Sequence, residues 1–355
     1  MRELAGWRLA AAGLVALVST AAVADDMRFA LVKSGASRWI AAEGEITEAT
    51  PDTFRRFLED NGLTNPRDGL TVYLDSPGGN LMSGIKLGGL IRKQGLNTSI
   101  GKSLPAHGRD MVIRPGQCAS ACSFAFLGGT VRVARGGELG VHQFYDADVL
   151  DDPEHNFSGA EMSTQQVIGA IIVNFVVRMG ADPRIASIAA GTLPEDMHFF
   201  SKEELDDLRI NFDPRSFEPW DVALDGKGVV ARSRSEDGVR QISLYCREDD
   251  GIVRLRLGGL GDAAEPMLAA IRDAGGLRVF GSTVEPKDAE AADRDGDRGV
   301  ELVIAGFHPD QVVGKKALRI GGDEGDTGRP ADYPDITVPA ENAPEAFAVA
   351  LRNCI

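Results

Sequence analysis

The stretch LTVYLDSPGGNLMSGIKLGGLIRKQG, residues 70–95, changes its period halfway along. Its first part is an apolar strand, and after Ser76-Pro77-Gly78-Gly79 the apolar residues Leu81, Ile85, Leu90 and Ile91 recur at helical spacing. A strand that passes through a tight turn into an amphipathic helix must lay that helix on a sheet. TSIGKS, 98–103, then supplies the next short strand. Strand, helix, strand in that order predicts an α/β layer architecture.

The flanking segments continue the alternation. MRFALVKS (27–34) and WIAAEGEI (39–46) read as strands, and Thr50 offers a cap to a helix that carries Pro51 just inside its start. CASACSFAFLGG, 118–129, has the small and aromatic content of a buried helix, and VRVARGGELGVHQF supplies two short strand segments around Gly136-Gly137. Residues 143–160 are polar and acidic and read as a surface loop. Ser163 to Gln166 then opens a strongly apolar helix running to Met179, and DPRIASIAAG adds a shorter helical piece. Val167, Ile168, Ile171, Ile172, Phe175 and Val176 spread over more than one narrow stripe, so burial of this helix in its own subunit or against a second copy is expected.

Near residue 215 the character changes. Residues 215–230 read as a connector, and 231–355 as a smaller C-terminal α+β domain with strands in QISLYCRED and GIVRLRLGG and a helix in AAEPMLAAIRDAG. The acidic run DRDGDRG places Asp293, Asp295 and Asp297 at calcium-loop spacing. An EF-hand needs glycine at its sixth position and glutamate at its twelfth, where this chain has Arg298 and Ile304, so a solvated turn is expected and no metal site.

The N-terminus and the cysteines bear on compartment. Arg2 and Arg8 precede a short apolar run ending in Ala22-Val23-Ala24, the pattern of a cleaved secretory signal over 1–24, with Asp25 as the first mature residue. The later run GAIIVNFVVRMG is interrupted by Asn174 and Arg178, so no stable membrane span is expected after cleavage, and the mature protein is placed in the periplasm or secreted. Four cysteines suit an oxidising compartment. Cys118 with Cys122 would be a local pair, and Cys246 with Cys354 would tie the chain end to the C-terminal domain. Four cysteines allow three pairings, and the spacing does not choose among them. The net charge of −15 argues against a nucleic-acid backbone as partner, because phosphates need a concentrated positive face.

Three short pieces carry the chemistry. LDSPGG ends a strand, serines lie at the start of the compact helix, and His142 sits on a later strand in ELGVHQF. Glycines after a strand can present backbone N–H groups to developing negative charge, and a serine hydroxyl becomes nucleophilic beside a base. Each piece alone has a plainer role: the turn as a turn, Ser120 as a helix cap, Ser123 as a buried hydroxyl and His142 as a hydrogen-bonded strand residue.

Together the pieces resemble the ClpP-like serine peptidases of the ClpP/crotonase superfamily, in particular its exported bacterial branch, over roughly residues 27–210. Ser76-Pro77-Gly78-Gly79, Ala121-Cys122-Ser123 and Gly140-Val141-His142-Gln143 match the family's turn, nucleophile and base segments. The resemblance implies a ClpP/crotonase-like β-β-α core over 25–214, with Ser123 as nucleophile, His142 as general base and Gly79 and Phe124 as oxyanion donors. Ser76, Pro77 and Gly78 would support that site. Ser123 is preferred to Ser120 because the apolar helix follows it at the family's spacing. Aligning Phe199-Phe200-Ser201 places Met197 on the family's acid position, so Asp196, one residue earlier, is taken as the third triad member. The interval from Ser123 to His142 is shorter than usual in the family. The implied activity is hydrolysis of peptides or loosely folded protein, without cofactor or metal, in a possible homo-oligomer. A non-catalytic interaction or scaffold protein that keeps the peptidase shell is the other reading.

Overall fold

The computed structural model describes residues 25–35, 37–64, 69–106, 110–145, 156–226, 228–248, 250–284, 289–294, 296–305, 317–321 and 333–352. The expected signal segment, 1–24, lies outside the described residues, as does the middle of the acidic stretch, 146–155. The chain is mixed α/β and divides into two compact units. One comprises residues up to Gly129 together with Ala134–Leu208, and the other Thr130–Val133 with Arg209–Ile355.

The first unit begins with an antiparallel hairpin of β1 (Arg28–Ser34) and β2 (Ser37–Glu43), paired from Arg28 opposite Glu43 to Ser34 opposite Ser37. Then come α1 (Thr50–Asp60), β3 (Thr71–Asp75), α2 (Leu81–Lys93) and β4 (Asn97–Ile100). The strands β2, β3 and β4 run parallel, which requires the crossover helices that the alternating sequence supplies. Thr50 is not the cap of α1. Ala49 holds that position, and Thr50 is the first helical residue, its hydroxyl accepting the Thr47 N–H at 2.8 Å. Asn80 caps α2, its side-chain oxygen accepting from Ser83 N at 2.9 Å.

A hairpin, β5 (Lys102–Pro105) with β6 (Met111–Arg114), leads to β7 (Cys118–Ala119) and the short helix α3 (Ala121–Leu127). All seven residues of α3 are buried. Its approach to α2 is backbone on backbone: a Cβ on Gly84 would lie 2.3 Å from Ala121 O, and one on Gly88 would lie 2.5 Å from Phe124 O. Helices this close admit nothing larger than glycine at the crossing. Arg92, at the end of α2, donates to the carbonyls of Leu127, Gly128, Gly129 and Met179, occupying the C-terminal end of α3. Burial pushes its pKa down from the usual arginine value.

After β8 (Arg132–Val133), which belongs to the second unit, come β9 (Leu139–Val141), α4 (Gly159–Arg178), α5 (Arg184–Gly191), β10 (His198–Phe199) and α6 (Lys202–Asp207). A second sheet has the order β10-β9-β7, with β9 parallel to β7 and antiparallel to β10. The helix α4 starts at Gly159, capped by Ser158 and Glu161 in a reciprocal capping box, four residues before the expected start. The expected burial of α4 holds for one face only: Ile172, Phe175 and Val176 are buried, while Met162, Val167, Val173 and Val177 are exposed. Among the described residues α4 is the one helix long and apolar enough, by length and composition only, to pass for a membrane crossing, so Asn174 and Arg178 interrupt its apolar run less than expected. Those two residues sit in a run apolar enough to absorb them.

The second unit is a six-stranded antiparallel sheet, order β11-β12-β13-β14-β18-β17, formed by Asp221–Asp225, Gly228–Arg234, Arg240–Arg247, Asp250–Leu257, Asp297–Ile304 and Ala289–Arg294 respectively. A smaller sheet joins β15 (Leu277–Val279), β16 (Ser282–Val284), β19 (Ala317–Gly321) and β20 (Asp335–Pro339). The helices α7 (Ala264–Asp273) and α8 (Ala343–Arg352) bury Leu268, Ile271 and Phe347 in a core with Trp220, Leu244 and Leu255. The connector expected over 215–230 is therefore half strand, because Val222 and Leu224 pair with Ala231 and Val229 across the β11–β12 hairpin. Of the calcium-like run, Asp293 lies opposite Arg298 in a hairpin and Asp297 accepts from Arg256, while Asp295 lies outside the described residues.

The α2–α3 crossing makes a sharp prediction about two adjacent glycines. Gly88→Ala forces its methyl onto Phe124 O and should cost about 1–3 kcal/mol. Gly89 faces open space, with nothing within 4 Å of a Cβ, so Gly89→Ala should stabilise by up to about 1 kcal/mol. Urea melts of the two variants should move in opposite directions.

Candidate functional site

The parallel strands β3, β7 and β9 end side by side, and each hands one functional segment to the same place. Ser76 N donates to Gln117 O at 2.7 Å and Ala119 N to Ser76 O at 3.1 Å, joining the end of β3 to β7. Ser120 N donates to Gly140 O at 2.9 Å, joining β7 to β9. The carboxyl ends of parallel strands are where α/β sheets open a crevice.

Ser120 sits between the last residue of β7 and the first of α3, at φ 56° and ψ −122°. For a residue with a Cβ this is a strained conformation, costing on the order of 1–3 kcal/mol, and it lifts the side chain out of the strand-to-helix turn. Although Ser120 holds the N-cap position, it makes no side-chain cap. Its Oγ lies instead 2.8 Å from His142 Nε2.

His142 Nδ1 lies 3.0 Å from the carbonyl oxygen of Pro194. A carbonyl only accepts, so in the neutral imidazole Nδ1 carries the proton and Nε2 presents its lone pair to the serine hydroxyl. Two contacts bring that carbonyl under the ring. Gln143 N donates to Thr192 O at 2.9 Å, and the pairing of β9 with β10 aligns Val141 with His198. The Leu193–Asp196 turn between them is closed by Asp196 N donating to Leu193 O at 3.0 Å.

The structure does not bring together the Ser123–His142 pair that the resemblance implies. Ser123 does not approach His142. It is three residues into the helix, 2% exposed, and its Oγ donates to Gly140 O at 2.7 Å, with Cys118 O at 3.3 Å. A hydroxyl in the first helical turn points back along the chain, and here a strand carbonyl lies in its path. Asp196 is likewise not on the imidazole. It is exposed, and among the described residues its carboxylate has no hydrogen bond or ion pair, the Pro194 carbonyl holding the position expected for it. Met197 lines the cleft and packs on β9, since a Cβ on Gly140 would lie 2.8 Å from its Cγ. Phe124 belongs to the interior of α3, 4% exposed, its ring edge-on to Phe175 at 6.4 Å. The N–H that directly follows Ser120 is that of Ala121.

The Ser76-Pro77-Gly78-Gly79 turn lies against this arrangement. Ser76 is buried and its Oγ accepts from Gly78 N at 3.1 Å. Gly78 and Gly79 have φ of 108° and 126°, open to glycine alone in practice. A Cβ on Gly78 would meet Ser120 Cβ at 2.7 Å and come within 3.2 Å of Ala121 N, so the turn and the serine are in contact. Among the described residues neither Gly79 N nor Ala121 N donates a hydrogen bond. A cleft of about 1420 Å³ opens over Ser120 and His142, with Gly78 and Gly79 at its base and Ile168, Ile172 and Val173 of α4 along a wall. Among the described residues no group of histidine, cysteine and carboxylate side chains could hold a metal ion.

Cys118 and Cys122 form a disulfide with Cα atoms 5.2 Å apart. Cys246 is also disulfide-bonded, and Cys354, the partner expected for it, lies outside the described residues. The sequence held one signal for the serine that meets His142, which the family spacing overrode. The Ser-to-His interval looked too short from Ser123, and starting from Ser120 lengthens it by three residues to 22.

No family model matches this chain, and no curated protein matches it. Among solved structures it is similar to a mutant of the membrane-bound stomatin-specific protease 1510-N, at 17% identity and a TM-score of 0.32, over 48% of this chain and 75% of that one. A likeness at that level carries neither fold nor activity across.

The two serines should separate in stability measurements. Ser123→Ala removes a buried hydroxyl whose acceptor, Gly140 O, still receives the Ser120 N–H, so the loss should be about 0.5–1.5 kcal/mol in urea melts. Ser120→Ala, which removes only the contact to His142, should leave the melt within about 0.5 kcal/mol of wild type.

Proposed function

We propose that the first unit is a serine hydrolase of ClpP/crotonase-like layering that cleaves peptides or loosely folded protein in an extracytoplasmic compartment. The observation that carries this reading is the 2.8 Å approach of Ser120 Oγ to an imidazole nitrogen whose tautomer is fixed from the other side by a backbone carbonyl.

The steps follow from that arrangement. Ser120 Oγ attacks the substrate carbonyl carbon while its proton passes to His142 Nε2, so a C–O bond forms and the carbonyl π pair moves onto oxygen. The Gly79 and Ala121 N–H groups, having no other acceptor among the described residues, receive that oxyanion. His142 then gives its proton to the leaving nitrogen as the C–N bond breaks. Water, deprotonated by the same Nε2, attacks the acyl-serine and regenerates the hydroxyl. Pro194 O stabilises the imidazolium as a dipole and holds the tautomer, the part of the triad's third role that matters most for geometry.

The polypeptide nature of the substrate rests on the shape and lining of the cleft. Its volume of about 1420 Å³ exceeds the roughly 300–1,000 Å³ of small-molecule sites, and its α4 wall is apolar. Export is supported by the Ala22-Val23-Ala24 segment and by a disulfide beside the site, which would be reduced in a cytosol.

A diphenyl phosphonate carrying an apolar side chain tests the assignment. The expected result is one adduct, mapped by peptide mass to Ser120 and absent from Ser120→Ala. Asp196→Asn should be labelled at the wild-type rate within about twofold, since no contact of that carboxylate reaches the imidazole. An adduct on Ser123 would overturn the nucleophile, and wild-type protein that neither labels nor cleaves any member of a broad peptide library would favour the scaffold reading.

A further inference from the structure

We propose that the Cys118–Cys122 disulfide is a positioning element for Ser120, holding the strained turn in the conformation that aims Oγ at His142. This rests on the hydrolase reading above and assigns a role to two residues outside the reacting set.

The bond is placed symmetrically about the serine. Cys118 lies two residues before Ser120 on β7, Cys122 two residues after it in the first turn of α3, and the sulfurs close a ring across Ser120. Both cysteines are 0% exposed. A bond across a separation of four residues gains little chain entropy compared with one closing a long loop. Its effect is therefore local.

The local need is evident at φ 56° and ψ −122°. A non-glycine residue there relaxes by rotating φ and ψ back to a common basin, and that rotation swings Cβ, and with it Oγ, away from the imidazole. On the strand side Ser120 is anchored by its N–H on Gly140 O and by Ala119 N on Ser76 O. On the helix side the anchors are Ser123 N on Ser120 O at 3.0 Å and Ser123 Oγ on Gly140 O. Ser123 Oγ also reaches Cys118 O at 3.3 Å, a long hydrogen bond between the flanks, whereas the disulfide joins the two flanks covalently. Compensating rotations at Ala119 and Ala121 are then blocked. Gly78 borders Ser120 on that side, since a Cβ on Gly78 would meet Ser120 Cβ at 2.7 Å.

A phosphonate inhibitor with separable binding and bonding steps reads this directly. In the bonding step an O–P bond forms at the nucleophilic serine, phenoxide leaves, and the hydroxyl proton passes to His142. The variants C118A, C122A and C118A/C122A should each lower the bonding rate constant about 10- to 100-fold, because a misplacement of about 1 Å costs that much. The binding constant should stay within about twofold of wild type. The three losses should be equal rather than additive, because each variant removes the same bond. A merely structural bond would lower the melting temperature and leave the bonding rate of the folded fraction unchanged, and that result overturns the proposal. If C118A/C122A does not fold, C118V/C122A, which returns much of the lost volume, is the second variant. Failure of both to fold makes the bond a global stabiliser and also overturns the positioning role. Wild-type protein without a Ser120 adduct overturns the hydrolase reading and this proposal with it, whereas labelled wild type with equally reactive variants overturns this proposal alone.

Discussion

The functional end of the first unit depends on one backbone torsion pair, that of Ser120. At φ 56° and ψ −122° the chain leaves β7 and enters α3 with a single residue at the corner. Had the turn taken several residues, the serine would have sat on a loop. Because it takes one, the strand pairing that fixes Ala119 against Gly140 fixes the serine as well. The same pairing places His142 two residues beyond Gly140, so Ser120 and the imidazole it meets are positioned by one ladder. The conformational cost of the corner is offset by hydrogen bonds and packing on both sides of it, which is the usual condition under which strain persists in a native state.

The corner in turn explains the glycine pattern around it. A helix that starts directly at the end of a strand lies close over the sheet, and α3 is consequently buried at every position. Its neighbour α2 must then approach backbone to backbone, which accounts for Gly84 and Gly88. The strand feeding α2 must end in a turn that passes beside Ser120 Cβ without colliding, which accounts for Gly78. Gly79 has a separate constraint, since a Cβ there would lie 2.3 Å from Ile46 O. One tight turn thus propagates into a requirement for glycine at three positions of the single stretch 78–88.

Much of this was legible from the residues alone. The strand, Ser-Pro-Gly-Gly turn and helix of 70–95 read correctly because each part has a physical signature: apolar composition, fixed proline φ with glycine freedom, and helical recurrence. His142 was legible as the one histidine on a predicted strand in that neighbourhood. The choice between Ser120 and Ser123 was not, because it turns on whether the first helical residue is 118 or 121, and helix starts are blurred by a few residues in any reading of local pattern. A tertiary contact decided it: Ser123 finds the Gly140 carbonyl, and Ser120 finds the imidazole. The Pro194 carbonyl was invisible for a different reason. A backbone acceptor has no side-chain identity that a sequence displays, and the carboxylate next to the family's acid position is that of Asp196. The connector expected at 215–230 failed because its Gly and Asp residues mark the turn of a hairpin whose strands pair only with each other and with later residues.

Replacing a carboxylate by a carbonyl beneath the base has a chemical consequence. Both acceptors fix Nδ1 as the protonated nitrogen, so the ground-state orientation of the lone pair on Nε2 is the same. They differ when the imidazole gains its second proton. A carboxylate meets the new charge with a full opposite charge, whereas the Pro194 carbonyl meets it with a dipole, a weaker interaction at the same 3.0 Å. The imidazolium and the oxyanion it accompanies must therefore stabilise each other more directly. In the proposed hydrolase that would place more of the catalytic work on the Gly79 and Ala121 N–H groups, and on keeping Ser120 Oγ within hydrogen-bond reach of Nε2, than an Asp-backed base would require.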